Sequence, residues 1–119
     1  MSRKYKFYNK AGLYFVSFAT VNWIEVFTRQ IYFDIIVDSI NYCRAEKGME
    51  LYAYCFMPNH IHMIFRSSED QPMELLRDFK KFTAKKIIET IKNNPQESRK
   101  EWLLWLFQRA GKKQSNISN

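Results

Sequence analysis

The chain has 119 residues, 46% hydrophobic and 17% aromatic, with 19 Lys/Arg against 12 Asp/Glu for a net charge of +7. That length suits one domain, residues 1–119, whose core buries roughly two thirds of the unfolded surface, and the apolar content excludes a disordered chain. No run of about 18 apolar residues exists to span a bilayer as a helix.

The basic start, Met1-Ser2-Arg3-Lys4-Tyr5-Lys6, is followed by no apolar signal core. Two cysteines, Cys43 and Cys55, do not make a disulfide framework, so a reduced, cytoplasmic setting is expected. Charge is unevenly spread: residues 1–71 carry 8 basic and 7 acidic side chains, residues 72–119 carry 11 and 5. A one-sided positive field favours a polyanionic partner or an anionic surface.

In chain order, residues 1–10 read as a basic arm and 11–93 as the core. Leu13–Thr20, rich in β-branched and aromatic residues after Gly12, predicts a strand. Thr28 is the expected N-cap of a helix over 29–47, with Tyr32, Ile36, Ile40 and Cys43 at helical spacing and Lys47-Gly48 as its stop. Residues 49–57 and 60–67 are two short apolar runs flanking Pro58-Asn59, a hairpin pattern. Pro72 opens a second helix to Asn93, with Leu76, Phe79, Thr83, Ile87 and Ile91 on one stripe. A third helix over 97–109 carries Trp102, Leu103, Leu106 and Phe107, stops at Gly111, and leaves a frayed polar tail to Asn119. Trp102, Trp105 and Phe107 read as core or interface.

The order β-α-β-β-α-α predicts an α+β fold: a ferredoxin-like βαββα core without its final strand, plus an extra C-terminal helix. Its antiparallel sheet has the helices packed on one face, and crossover rules place the second hairpin strand beside the first strand, mid-sheet. With a tight turn, Met57 faces His60, Cys55 faces His62 and Ala53 faces Ile64. The bulky face then holds Tyr52, Tyr54, Phe56, Ile61, Met63 and Phe65, with Tyr54 in the core. The other combines the histidines with the small residues Ser17, Ala19, Ala53 and Cys55.

His60 and His62 are the only histidines in the chain. Two positions apart on a strand, they present two imidazoles on one surface, and neutral imidazole is the commonest side-chain metal ligand. Two structural histidines are the alternative. Two imidazoles alone rarely hold a catalytic divalent ion: Cys55 would complete a His/His/Cys zinc set, while Mg²⁺ or Mn²⁺ would recruit a carboxylate or amide and phosphate oxygens.

The stretch Met57-Pro58-Asn59-His60-Ile61-His62-Met63-Ile64 resembles the His-hydrophobic-His signature of single-tyrosine transposases, particularly the REP-associated branch. The similarity runs through Leu13–Thr20 and Arg77–Lys86. The resemblance implies a ferredoxin-like catalytic domain that binds single-stranded or hairpin DNA and holds a divalent metal, Mg²⁺ or Mn²⁺, on His60 and His62. It implies strand cleavage and transfer through a phosphotyrosine formed by a tyrosine on a later helix, with a homodimer as one assembly. That tyrosine does not carry over: Tyr5, Tyr8, Tyr14, Tyr32, Tyr42, Tyr52 and Tyr54 all precede His60. The chain therefore reads as the N-terminal two thirds of such an enzyme, without an assigned nucleophile.

Arg77, Lys81 and Lys85 at i, i+4 spacing, with Lys80 and Lys86 alongside, are the expected DNA-binding residues. They form either a phosphate track or an ordinary solvated helix face. Arg3, Lys4, Lys6, Lys112 and Lys113 would add non-specific contacts. A transposase, a non-catalytic nucleic-acid-binding remnant and a structural metal-binding domain are the competing functions.

Overall fold

Six elements follow in the order β1 (Tyr14–Ala19), α1 (Gln30–Glu46), β2 (Met49–Met57), β3 (His60–Ser67), α2 (Pro72–Asn93) and α3 (Lys100–Ser118). They come from a computed structural model that describes residues 9–20 and 24–118. Arg3, Lys4 and Lys6 of the expected basic arm lie outside the described residues.

The three strands form one antiparallel sheet in the order β1-β3-β2, which puts the histidine strand in the middle as the crossover rule requires. Pro58-Asn59 is a two-residue connection, and Met57 pairs with His60, Cys55 with His62 and Ala53 with Ile64. β3 alternates strictly: Ile61, Met63, Phe65 and Ser67 are buried, while His60, His62, Ile64 and Arg66 are only partly so. α1 and α2 pack side by side on the buried face and α3 packs on α2, and among the described residues the other face carries no helix. Each apolar side chain fully buried in that sandwich contributes about 1.5–3 kcal/mol of transfer free energy.

The helix stripes fall as the spacing predicts: Tyr32, Ile36, Ile40 and Cys43 are buried from α1, and Leu76, Phe79, Thr83, Ile87 and Ile91 from α2. Burial pushes the Cys43 thiol up to about 11, so it behaves as a small apolar side chain rather than a nucleophile. Lys47 closes α1 by donating its N–H to the Cys43 carbonyl at 2.9 Å, and Gly48 follows at φ +72°.

Four expectations need correction. α1 starts one residue later than Thr28 would place it: Arg29 is the N-cap, without a side-chain capping bond, because the Thr28 hydroxyl accepts from Arg99 Nη2 at 3.1 Å instead. A bulge between Leu51 and Ala53 turns Leu51 onto Phe65 and leaves Tyr52 exposed, so Leu51 takes the inward place expected of Tyr52. Tyr54 does pair with Met63 on the helix side, but β2 is the sheet edge and its ring is 62% exposed, stacked on Phe56 rather than buried. α3 runs through Gly111 to Ser118, since a helical glycine costs only about 1 kcal/mol and ends a helix only when it turns left-handed. Its Leu103 and Leu106 are buried, whereas Trp102 and Trp105 stay half exposed.

The turn before α3 holds a polar hub that the sequence pattern did not announce. The Glu97 carboxylate is fully enclosed and accepts from the Tyr32 hydroxyl at 2.8 Å and from Arg99 at 3.2 Å on each oxygen, with Arg29 Nε 3.7 Å away. Arg99 also reaches the Glu25 carbonyl at 2.7 Å, and Arg29 the Gln96 carbonyl at 2.8 Å. Burial alone would raise the Glu97 carboxyl, but the Arg99 and Tyr32 hydrogen bonds and the Arg99 charge outweigh it and hold the group at about 2.

Candidate functional site: the histidine face and the helical cations

His60 and His62 sit on the sheet face that no helix covers, their ring centroids 4.6 Å apart and their planes nearly perpendicular at 85°. The loop ahead of them is pinned by backbone bonds: Thr20 N–H donates to the Asn59 carbonyl at 2.9 Å, and Phe27 N–H to the Pro58 carbonyl at 2.9 Å. That holds Asn59 so that its Oδ1 lies 2.6 Å from His60 Nδ1. An amide oxygen only accepts, so in the neutral imidazole this contact favours the proton on Nδ1 and leaves Nε2 as the acceptor nitrogen, the tautomer a metal ligand uses.

His62 is set differently. The Phe15 ring stacks over it at 5.6 Å and 21°, and its Nδ1 is buried without a hydrogen-bond partner. Nε2 is thus the polar atom His62 offers outward. Phe15, 65% exposed, lies on the histidine face by the alternation of β1, so the ring beside His62 is bulky where small neighbours were expected. A shallow depression of about 140 Å³ bordered by Phe15, Ala53, Cys55 and His62 remains. Among the described residues no three His, Cys, Asp or Glu side chains converge to hold a metal, so Cys55, although paired across from His62, does not complete a protein-only set.

Two imidazoles alone are an incomplete set, so a metal here would need its remaining ligands from outside the described side chains, such as phosphate oxygens and water. Asn59 and Phe15 were missed as site residues. The first sits inside the quoted motif, and the second was visible in the β1 alternation.

The five cations of α2 do not form one track. Lys81 and Lys85 border a groove between α1 and α2, with Tyr42, Lys47, Asp78 and Phe82. Arg77, also exposed, has its Nε 3.6 Å from Asp78. Lys86 lies further round, beside Ile31 and Glu89. Lys80 is on the opposite flank, its ammonium 5.8 Å from the Phe18 ring centroid, and burial lowers its pKa. All five belong to the helical layer, whereas the histidines face away from it across the sheet.

The family model described as Transposase IS200 like matches residues 13–109, which takes in the sheet, α1, α2 and about half of α3. The chain belongs to the IS200-like transposase family. No curated protein and no solved structure matches it. In this IS200-like transposase, DNA is the partner that the family implies, and among the described residues no helix is long and apolar enough to cross a membrane. Of the three described strand tyrosines, Tyr14 and Tyr54 pair with Phe65 and Met63 on the face away from the histidines, while Tyr52 lies in the β2 bulge with its hydroxyl donating to Glu50 Oε1 at 3.3 Å.

Proposed function

We propose that the chain is the metal-holding and DNA-holding part of a strand-cleaving and strand-joining transposase. His60 and His62 take Mg²⁺ or Mn²⁺ through their Nε2 atoms, and single-stranded or hairpin DNA crosses the open sheet face. The observation that carries this reading is the pair of adjacent imidazoles on a face that no described helix covers, one with its Nδ1 2.6 Å from Asn59 Oδ1. Bound there, the metal would neutralise charge on the scissile phosphate. Asn59 keeps the His60 tautomer and orientation, and Phe15 shields one side of His62.

Covalent transfer would require a tyrosine oxygen to bond to phosphorus as the 3′ oxygen leaves with a proton, conserving the phosphodiester energy for rejoining. No tyrosine follows Tyr54 in the 119 residues, so the nucleophile in this reading comes from outside residues 55–119. A second reading is a nucleic-acid-binding domain that does not itself transfer strands, favoured by the placement of Tyr14 and Tyr54 on the face away from the histidines.

Titration with Mn²⁺ is expected to show binding by the wild type and none by a His60→Ala/His62→Ala variant; equal binding sinks the metal assignment. A hairpin oligonucleotide should bind with an affinity that falls steeply with salt. Incubated with Mn²⁺ and then denatured, the mixture should show no DNA-shifted protein band. A covalent adduct would show that one of the tyrosines up to Tyr54 is the nucleophile and would refute the reading without strand transfer.

A further inference from the structure

Two aromatic rings on the helical layer are placed as no core requirement explains. Tyr42 of α1 and Phe82 of α2 stack at 5.4 Å with their planes 8° apart, and they are 44% and 46% exposed. Neither belongs to the buried stripe of its helix, which is completed without them by Ile40, Cys43, Phe79 and Thr83. They stand at the mouth of the α1–α2 groove, about 280 Å³ in volume, whose rim carries Lys47, Lys81 and Lys85.

The charge at that rim is positive in effect as well as in count. Its carboxylate, Asp78, is already shared between Lys47 at 3.8 Å and Arg77 at 3.6 Å. Lys81 and Lys85 have no ion-pair partner among the described residues, and they rise one turn apart along α2. Along the chain, Asp38 and Glu46 flank Tyr42 on α1, and Glu74 and Glu89 flank the Lys81–Lys85 stretch on α2.

From this juxtaposition we infer that the Tyr42–Phe82 stack and the Lys81/Lys85 pair form a second nucleic-acid surface that holds a single strand. A single strand offers both complements at once: phosphates for the ammonium groups and unpaired base faces for the ring stack. A duplex hides its base faces, and an acidic peptide supplies only charge. The surface lies across the sheet from His60 and His62, so it holds DNA that flanks the strand on the histidine face. This inference rests on the reading of the chain as a DNA-handling protein, but it makes no use of the metal.

The test is fluorescence anisotropy of a labelled single-stranded oligonucleotide, in EDTA, with the full chain. Tyr42→Leu/Phe82→Leu keeps apolar cover and removes the π faces; it should weaken single-strand binding about tenfold, from a stacking contribution of about 1–3 kcal/mol per base, and leave duplex binding unchanged. Lys81→Gln/Lys85→Gln should flatten the salt dependence of log affinity by about 1.4, at about 0.7 per phosphate contact. The measurement in EDTA needs no metal, so a failed metal site is read by the Mn²⁺ titration and a failed strand surface by the anisotropy, as two separate outcomes. Wild-type affinity in the leucine variant, confirmed folded by circular dichroism, overturns the proposal. Equal losses on single strand and duplex overturn it too, as does displacement by polyglutamate that depends on the lysines and ignores the aromatics.

Discussion

The Tyr32 hydroxyl donates to Glu97 Oε1 at 2.8 Å, joining residues 65 positions apart. Tyr32 lies in the first turn of α1 and Glu97 in the turn that leads into α3, so this contact fastens the two ends of the helical layer. Arg29 and Arg99 bring their charges to the same carboxylate, and Arg99 continues to the Glu25 carbonyl at 2.7 Å. A buried charge is tolerated only when hydrogen-bonded on this scale. The hub is therefore a point of high cost if one member is lost.

That cost has a pH signature. Glu97 titrates at about 2 in the folded chain against an ordinary 4.5. A carboxyl whose folded pKa is depressed adds stability that is fully present above its unfolded pKa and is lost as pH falls through the folded one. The difference corresponds to about 3 kcal/mol, disappearing between roughly pH 5 and pH 2. Urea melts of the wild type should show this decline. In Glu97→Gln, which leaves two arginines facing a neutral group, stability at pH 7 should drop by about 3–5 kcal/mol and the acid dependence should shrink. An unchanged acid limb in the variant would remove Glu97 from the account.

Gly48 tests the α1 stop in the same currency. Its φ of +72° lies in the left-handed region, and a Cβ added there would come within 2.6 Å of Ser68 Oγ. Gly48→Ala should destabilise the fold by about 1–3 kcal/mol in thermal or urea melts. Gly111 lies in α3 at an ordinary helical position with open space around it, so Gly111→Ala should be neutral or stabilising by up to about 1 kcal/mol. Equal effects of the two substitutions would contradict the assignment.

The contrast between these glycines marks what the sequence could convey. Periodicity located the elements because burial selects it: α2 is bounded by Pro72 and Asn93 as its punctuation predicts, and the β3 alternation is strict. The hairpin register followed from a two-residue turn, which brought Cys55 opposite His62. Local spacing carries no information about a bulge at Leu51–Ala53, set by sheet twist and edge packing, or about Glu97, whose partner Tyr32 lies 65 residues away in the chain. The histidine pair was legible because both ligands belong to one strand. The supporting contact of Phe15 with His62 crosses two strands, and the scatter of Arg77, Lys80 and Lys86 around α2 depends on which flanks α1 and α3 cover.

Asn59 offers a way to weaken the proposed metal site without touching a ligand. Its Oδ1 at 2.6 Å from His60 Nδ1 sets the tautomer, and loss of such a supporting partner typically costs about 10–100-fold in metal affinity. Calorimetric titration of Asn59→Ala with Mn²⁺ should show a loss in that range, while Asn59→Asp, which keeps an acceptor, should retain binding. Equal affinities of Asn59→Ala and wild type would show that His60 is oriented by something else.

Phe15 separates a structural role from one in positioning a ligand. Because the ring is largely exposed, Phe15→Ala removes little buried area, and stability should change by less than about 1 kcal/mol. The stack on His62 at 5.6 Å is worth about 0.5–1.5 kcal/mol, so releasing the imidazole should weaken Mn²⁺ binding by about two- to tenfold. Phe15→Leu covers the ring without a π face and should fall between the two, whereas Phe15→Tyr should match wild type. The discriminating measurement is the ratio of lost metal affinity to lost stability across the three variants. A constant ratio would mean that Phe15 acts through β1 as a whole; a loss of affinity at nearly constant melting temperature would place its action on the His62 ring, because only the stack distinguishes leucine from tyrosine at an exposed strand position.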